Sequence, residues 1–396
     1  MPRKILHLDL DAFFCAVEEL EDESLRGKAF AVGGRPDQRG VVASCSYPAR
    51  VFGVRSAMPM AQALRLCPDL IILPHRRGAY SAASQAVIAL LHDLTPQVEQ
   101  ISIDEAFLDV TMWPEPAAEI ARRLQATINT KLRLPCSLGV ATNKLIAKIA
   151  NTVGKASASK GQPPNAITIV PPDEEAAFLG PLPITELWGV GPKTATQLER
   201  LGVRTIGQLA QWPEAELVRR FGKHGHGLAR HARGIDERAV ETVRETKSIS
   251  KETTFARDVT DANTLKRTLR RLADGVGAQV RREGLSGTTI KLKLRWDDFT
   301  TLTRQITLDH TTDRDSEVYT VAVQLLGEHW PRGKPVRLIG VGISGFEDPH
   351  RQLGLWDDNA AREQDQRLQS TLDELRDRFG WDSIQRGSSF KPDDDC

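Results

Sequence analysis

The stretch "QVEQISIDEAFLDVT", residues 97–111, alternates apolar and polar side chains in two short runs that meet near Asp104. That pattern predicts a tight β-hairpin. Outward from it, both flanks turn helical. Ala83, Val87, Leu90 and Leu94 fall on one stripe of residues 79–94, and Ile120, Leu124, Ile128 and Leu132 on one stripe of 117–132. Near the start, "KILHLDLDAFF" (4–14) reads as a strand with Leu6, Leu8 and Leu10 on one face and His7, Asp9 and Asp11 on the other. "CSLGVAT" (136–142) supplies a fourth strand. The succession is β-α-β-β-α-β, an α+β, ferredoxin-like layout with a large insertion after the first strand. Taken alone, the polar face of that strand fits a wet surface as well as it fits a carboxylate set to hold a metal.

In such a sheet the first strand and the hairpin can lie side by side, which would bring Asp9 to Asp104 and Glu105. Three hard oxygen ligands with no nearby histidine or cysteine set favour magnesium or manganese over zinc. Two such ions in one cleft would activate an attacking hydroxyl and neutralise a leaving pyrophosphate. "SCSYPARVFG" (44–53) puts Tyr47 and Arg50 on one face of a helical turn. Either the pair grips a triphosphate, or a buried tyrosine stands beside a surface arginine. "ITELWGVGPKTATQLERLGVRTIGQLA" (184–210) reads as a helix, a Gly-x-Gly hairpin and a second helix. The amides around Gly189 and Gly191, with Lys193 beside them, would suit DNA phosphate unless they are only helix caps. "FGKHGHGLARHARG" (221–234) resembles a degenerate second copy.

Residues 248–346 again run strand, helix, strand, strand, helix, strand. In "TIKLKLRW" (289–296) the apolar residues face one way, and Lys291, Lys293 and Arg295 face the other with Thr289. A solvated face normally mixes signs; an all-cationic strand can lie along a phosphate backbone. The net charge of +1 hides a split, since residues 347–396 hold 13 acidic and 7 basic side chains and the body is basic. No apolar run reaches membrane length, and the five scattered cysteines form no C-x-x-C pair, which fits a reducing, cytoplasmic setting. Two decoys are set aside. "GVGISG" (340–345) is not followed by a helix, so a dinucleotide fold is not expected. His224, His226 and His231 have no carboxylate or cysteine partner in view, and a DNA-facing loop is expected there.

The motifs "LDLDAFFCAVEE", "YPARVFGVRSAMP", "SIDEAFLDVT", "GVATNKLIAKIA" and "ELWGVGPKTATQLERLGVRTIGQL" occur in register. In this the chain closely resembles the Y-family, or translesion, DNA polymerases in their DNA polymerase IV branch, over almost its whole length. The resemblance implies a palm (1–10 and 75–172), inserted fingers (11–74), a helix–hairpin–helix thumb (173–238), a linker (239–247) and a little finger (248–346). It implies that Asp9 and Asp104 bridge two Mg²⁺ ions, for which Mn²⁺ can substitute. Glu105 would hold the catalytic ion, and the Leu10 carbonyl the nucleotide-side one. Tyr47, Arg50 and a lysine after the palm helix would bind the triphosphate. Phe14 matches the steric gate that excludes a 2′-hydroxyl. Phe13 joins the nucleotide-binding set with the stronger claim to the core, and Ser44 lies in a low roof over the templating base.

Three departures bear on the transfer. The turn after the palm helix, "GKASASKGQPPNAI", is longer than the family's, and the phosphate role goes to Lys155 with Lys160 as competitor. The tail of 347–396 carries "QLGLWD" (352–357), read as a sliding-clamp peptide through Gln352, Leu353, Leu355 and Trp356. Residues 359–381 read as an amphipathic helix through Leu368, Leu372 and Leu375. The expected protein is a monomeric, low-fidelity, template-directed polymerase acting on primer-template DNA and dNTPs, without a proofreading exonuclease or a membrane segment. The rival readings are a clamp-tethered DNA-binding protein with little chemistry and a nucleotidyl cyclase on a similar palm.

Overall fold

In the computed structural model, residues 2–157, 161–346, 359–380 and 383–384 are described, and the chain divides into two units, 1–244 and 245–396. The first unit opens with β1 (Ile5–Leu10) and α1 (Phe13–Glu21). An inserted segment follows: β2 (Phe30–Gly33), β3 (Val42–Cys45), α2 (Tyr47–Val51), α3 (Met60–Leu66) and β4 (Ile71–Leu73). Its strands form a separate sheet in the order β3-β2-β4. The chain then returns through α4 (Arg77–Leu94), β5 (Val98–Gln100), β6 (Glu105–Asp109), α5 (Ala117–Lys131), β7 (Cys136–Ala141), α6 (Lys144–Ala156) and β8 (Ile167–Ile169). The main sheet runs β5-β6-β1-β7-β8. β1 is antiparallel to both neighbours, with Asp9 opposite Glu105 on one side and Ser137 on the other.

The two faces of β1 explain the layering. Leu6, Leu8 and Leu10 enter the core shared with Tyr80, Val87 and Leu91 of α4 and Ile120, Leu124 and Ile128 of α5. The opposite face is not wet: His7 is 1% exposed, because α6 lies across it. There Ile5 and Phe107 pack with Leu145, Ile146 and Ile149. Asn143 starts α6 by accepting from the Ile146 amide at 3.0 Å. Gly139 lets helix and strand close up, since a Cβ there would fall 1.8 Å from the Ala147 carbonyl oxygen. The buried stripe of α4 is Tyr80, Ser84, Val87 and Leu91. It is rotated from the expected one, and Ala83, Leu90 and Leu94 sit at its margin. Tyr80 draws the stripe round by pairing with Glu18 on α1.

Five short helices complete this unit: α7 (Glu175–Leu179), α8 (Pro192–Arg200), α9 (Ile206–Ala210), α10 (Glu214–Phe221) and α11 (Lys223–Ala232). The helix expected at the start of 184–210 is a single 3₁₀ turn, Ile184–Glu186. Pro183 before it and Gly189 (φ +100°) after it leave too few residues for an α-helix.

The second unit contains β9 (Ser248–Val259), α12 (Ala262–Arg282), β10 (Gly287–Trp296), β11 (Thr301–Thr312), α13 (Asp315–His329) and β12 (Val336–Phe346). The succession repeats that of the first unit, but the sheet order is β11-β10-β12-β9. Ile290, Leu292, Leu294 and Trp296 point into a core closed by α12 and α13. A further helix, α14 (Asn359–Phe379), lies against α12. Its covered positions match the expected leucine stripe only in part, with Leu372 and Leu375 half-buried. Leu368 is 53% exposed while Gln369 and Arg376 are buried. The reason is the surface that α12 offers: Arg281 bonds Asp373 at 2.8 Å, Arg282 bonds Asp377 at 2.7 Å, and Asp274 faces Arg376 at 3.8 Å.

Candidate active site

The end of β1 brings Asp9 beside Glu105 and the backbone of Asp104 to the same strand. Register sets Asp9 beside Glu105, and the Leu10 amide donates to the Asp104 carbonyl at 3.0 Å, which ties the hairpin tip to the strand. Ser102 orders that tip. Its Oγ donates to Asp104 Oδ1 at 2.5 Å and accepts from the amides of Asp104 and Glu105 at 3.2 and 3.1 Å.

Lysines from α6 lie among these acids. Lys148 donates to Glu105 Oε2 at 2.7 Å. Lys155 donates to Asp9, and it pairs with Asp11 Oδ1 at 2.9 Å. Burial pushes the Asp9 carboxyl up to about 7; Lys155 opposes the shift, while Glu105 and Asp104 add to it. Burial works against the Lys155 ammonium, but Asp9 and Asp11 outweigh it and raise its pKa. Among the described residues no group of three or more His, Cys, Asp or Glu side chains is placed as it stands to hold a metal ion; Glu105 is paired with Lys148, and Asp9 and Asp11 with Lys155. The oxygens are hard donors of the kind divalent cations take, and Lys148 and Lys155 now occupy them, so a cation would have to displace those ammonium groups.

Asp11 and His7, placed by alternation on the same face as Asp9, form a buried polar layer whose partners the sequence did not reveal. Asp11 is fully buried, and it accepts from Ser137 Oγ at 2.9 Å and from the Asn165 amide at 2.9 Å. Asn151 donates to His7 Nδ1 at 3.0 Å. Burial, then the charges of Lys148 and Lys155, lower the His7 pKa well below the usual value, so the imidazole is neutral. Ala12 adopts the left-handed region at φ 47°, a strained turn that separates inward Asp11 from the start of α1. The only sequence signal for Asp11 was the Asp-x-Asp spacing; Ser102, Lys148 and Ser137 had none.

On the inserted side, Arg50 stacks over Tyr47 with its guanidinium carbon 4.4 Å from the ring centroid. The Tyr47 hydroxyl oxygen is buried without a hydrogen-bond partner, and burial pushes its pKa up to about 12. Ser44 is buried, and its hydroxyl pairs with the Cys15 thiol. Phe13, grouped with Phe14 for nucleotide binding, is 3% exposed and packs in the main core. Its side chain belongs to the fold, and Phe14 is half-buried at the margin of the same core. Lys160 and the peptide residues Gln352, Leu353, Leu355 and Trp356 lie outside the described residues.

Two surfaces carry the remaining predicted residues. In the first unit Gly191 caps α8, whose first turn has no acidic residue. No atom lies near enough to meet a Cβ at Gly191, and Lys193 is exposed. In the second unit Lys291, Lys293 and Arg295 stand on the face of β10 away from the helices. Gly342 and Gly340 of β12 lie opposite Lys291 and Lys293, and a Cβ at either would fall 2.7 or 2.8 Å from the Ser250 or Glu252 side chain of β9. The face is not purely cationic, because Glu252 reaches across from β9 to Lys293 at 2.7 Å. The histidine cluster also differs from expectation. His226 has a carboxylate partner, Glu214, at 2.6 Å, because α10 and α11 pack side by side.

Comparisons with known proteins agree across the chain. Residues 8–152 match the impB/mucB/samB family, residues 246–355 that family's C-terminal domain and residues 172–203 the IMS family HHH motif. The DNA polymerase IV of Desulfatibacillum aliphaticivorans is 41% identical, over 96% of this chain and 95% of its own. That of Dehalococcoides mccartyi is 38% identical over 98% of each. A Y-family DNA polymerase chimera superposes with a TM-score of 0.77 at 27% identity, over 87% of this chain and 99% of its own. DinB from Sulfolobus solfataricus gives 0.59 at 28% identity over the same shares.

Proposed function

The chain belongs to the impB/mucB/samB family and is a DNA-directed DNA polymerase of the translesion type, and from that premise we propose that Asp9, Asp104 and Glu105 hold two Mg²⁺ ions for addition of dNMPs to a primer 3′-hydroxyl. The observation that carries the proposal is the register that sets Asp9 beside Glu105 while Asp104 is tied to Leu10. The donors fit in kind, being hard oxygens with the Leu10 carbonyl as a neutral one, and Lys148 and Lys155, now paired with Glu105 and Asp9, give way to the ions. Bound there, the ions supply acidity to the 3′-hydroxyl and neutralise charge on the leaving pyrophosphate, with Mn²⁺ able to substitute.

The protein's own groups do the positioning. Arg50 forks onto two triphosphate oxygens, the unpartnered Tyr47 hydroxyl donates to another, and Lys155 adds a point charge. Phe14 lies beneath the sugar. The small residues of β3, Ser44 among them, leave a low roof that tolerates damaged templates and discriminates weakly.

In this reading residues 1–10 and 75–172 are the palm, 11–74 the fingers, 173–238 the thumb, 239–247 a linker and 248–346 the little finger. The amides at Gly189 and Gly191, with Lys193, take one stretch of DNA backbone; Lys291, Lys293 and Arg295 take another. Gln352, Leu353, Leu355 and Trp356 form the peptide for a sliding clamp, and the chain works as a monomer in the cytoplasm. No described helix is long and apolar enough to cross a membrane. Among the described residues Cys15, Cys45, Cys67 and Cys136 are free thiols.

The test is templated primer extension in Mg²⁺ on undamaged and abasic templates. Extension on both, lost on chelation and restored by Mn²⁺, is expected; extension that survives chelation contradicts the metal reading. Replacing Lys291, Lys293 and Arg295 with alanine should weaken DNA binding and flatten its salt dependence by up to about one unit of slope per lost phosphate contact. An unchanged slope removes β10 from the DNA surface.

A further inference from the structure

Glu18 is a buried carboxylate that the chemistry above does not use. It sits on α1 one turn beyond Phe14 and is 5% exposed. Donors from the start of α4 converge on it. The Tyr80 hydroxyl donates to Oε1 at 2.5 Å. Arg76 gives Nε to both carboxylate oxygens, at 3.1 and 3.0 Å, and Nη2 to Oε2 at 2.6 Å. Tyr80 is itself 1% exposed. Its ring lies flat against Phe14, with centroids 4.3 Å apart and planes 16° from parallel. His75 meets Phe14 edge-on, at 6.3 Å and 82°.

A phenylalanine ring has no polar handle, so only its neighbours fix its plane. Here one neighbour is fixed by a charge-assisted hydrogen bond, among the stronger kinds available inside a protein. Packing alone would not require it, because a phenylalanine at position 80 would fill nearly the same volume without burying a carboxylate. Burying Glu18 is costly unless it is fully paired, and the Arg76 fork supplies that pairing. The chain of contacts therefore runs from Arg76, where the inserted segment rejoins α4, through Glu18 and Tyr80 to Phe14.

We propose that Glu18, Tyr80 and Arg76 are positioning residues for sugar selection, setting the plane of the Phe14 ring and so the clearance at the sugar 2′ position. The proposal rests on the reading of Phe14 as the steric gate. The hydroxyl of Tyr80 holds the ring plane, the Glu18 carboxylate holds the hydroxyl, and Arg76 holds the carboxylate.

Single-nucleotide insertion of a dNTP and of the matching rNTP, measured as kcat and KM, tests this in Tyr80→Phe, Glu18→Gln and Phe14→Ala. Tyr80→Phe removes one oxygen and keeps the ring; Glu18→Gln keeps the shape and an acceptor. The deoxy-over-ribo ratio of kcat/KM should fall about tenfold in Tyr80→Phe, the scale of one lost hydrogen bond to a charged group. It should fall less in Glu18→Gln, with dNTP kcat within about threefold of wild type in both. If Phe14→Ala admits rNTPs while the other two keep the wild-type ratio, the positioning role is wrong and the gate stands. Equal losses for dNTP and rNTP in Tyr80→Phe mark a merely structural contact and also overturn it. An unchanged ratio in Phe14→Ala removes the gate reading, and the inference with it.

Discussion

Asp104→Ala is expected to abolish templated primer extension, lowering the single-turnover rate by on the order of 10⁴-fold or more, while primer–template affinity stays within about threefold. The asymmetry follows from where Asp104 sits. Its side chain hangs from the hairpin tip, and among the described residues its one side-chain hydrogen bond is from Ser102 Oγ. The tip itself is held by the backbone bond from Leu10 and by the β1–β6 ladder. Removing the carboxylate therefore costs the fold little and removes a hard ligand from the cleft. Asp11 offers the contrast. Its loss would strand Ser137 and the Asn165 amide in a buried site, so an inactive Asp11 variant would not separate chemistry from folding. Rapid-quench extension together with anisotropy of a labelled duplex reads both quantities, and undiminished extension by Asp104→Ala would end the metal assignment.

Phe14→Ala is expected to lower the preference for dNTPs over rNTPs by on the order of 100-fold, mainly by raising kcat/KM for the ribonucleotide. A gate of this kind works by contact, so deleting the ring admits the 2′-hydroxyl where a smaller change would only shift it. Phe14 is partly buried against the main core, and its ring stacks on Tyr80, so the alanine also leaves a cavity. Some loss of dNTP insertion accompanies the change in selectivity. Kinetics for one dNTP and its ribonucleotide counterpart on the same template check it. A ratio unchanged from wild type refutes the gate.

The positions of the acids were legible because two independent periodicities fixed them. Alternation in 97–111 set the hairpin, alternation in 4–11 set the strand, and a β-α-β-β-α-β chain can lay one beside the other. The same succession in the second unit left the strand order open, since nothing local says whether β12 lies between β10 and β9 or at an edge. The cover over His7 was also hidden: α6 comes from far along the chain, and its burial of a polar face depends on Gly139 and on Asn151 pairing with the imidazole. The lysines on the acids, the Glu252–Lys293 pair and the polar docking of α14 share that cause. Each joins side chains brought together only in the folded chain, where charge partners replace the apolar periodicity that a sequence displays.

The most direct measurement counts bound Mn²⁺ by electron paramagnetic resonance, in complexes of the protein with a chain-terminated primer–template and the correct dNTP. Wild type should hold two ions per chain and Asp104→Ala fewer, at equal occupancy of DNA. Identical stoichiometry and affinity in the two proteins would contradict the claim that Asp9, Asp104 and Glu105 share a pair of cations.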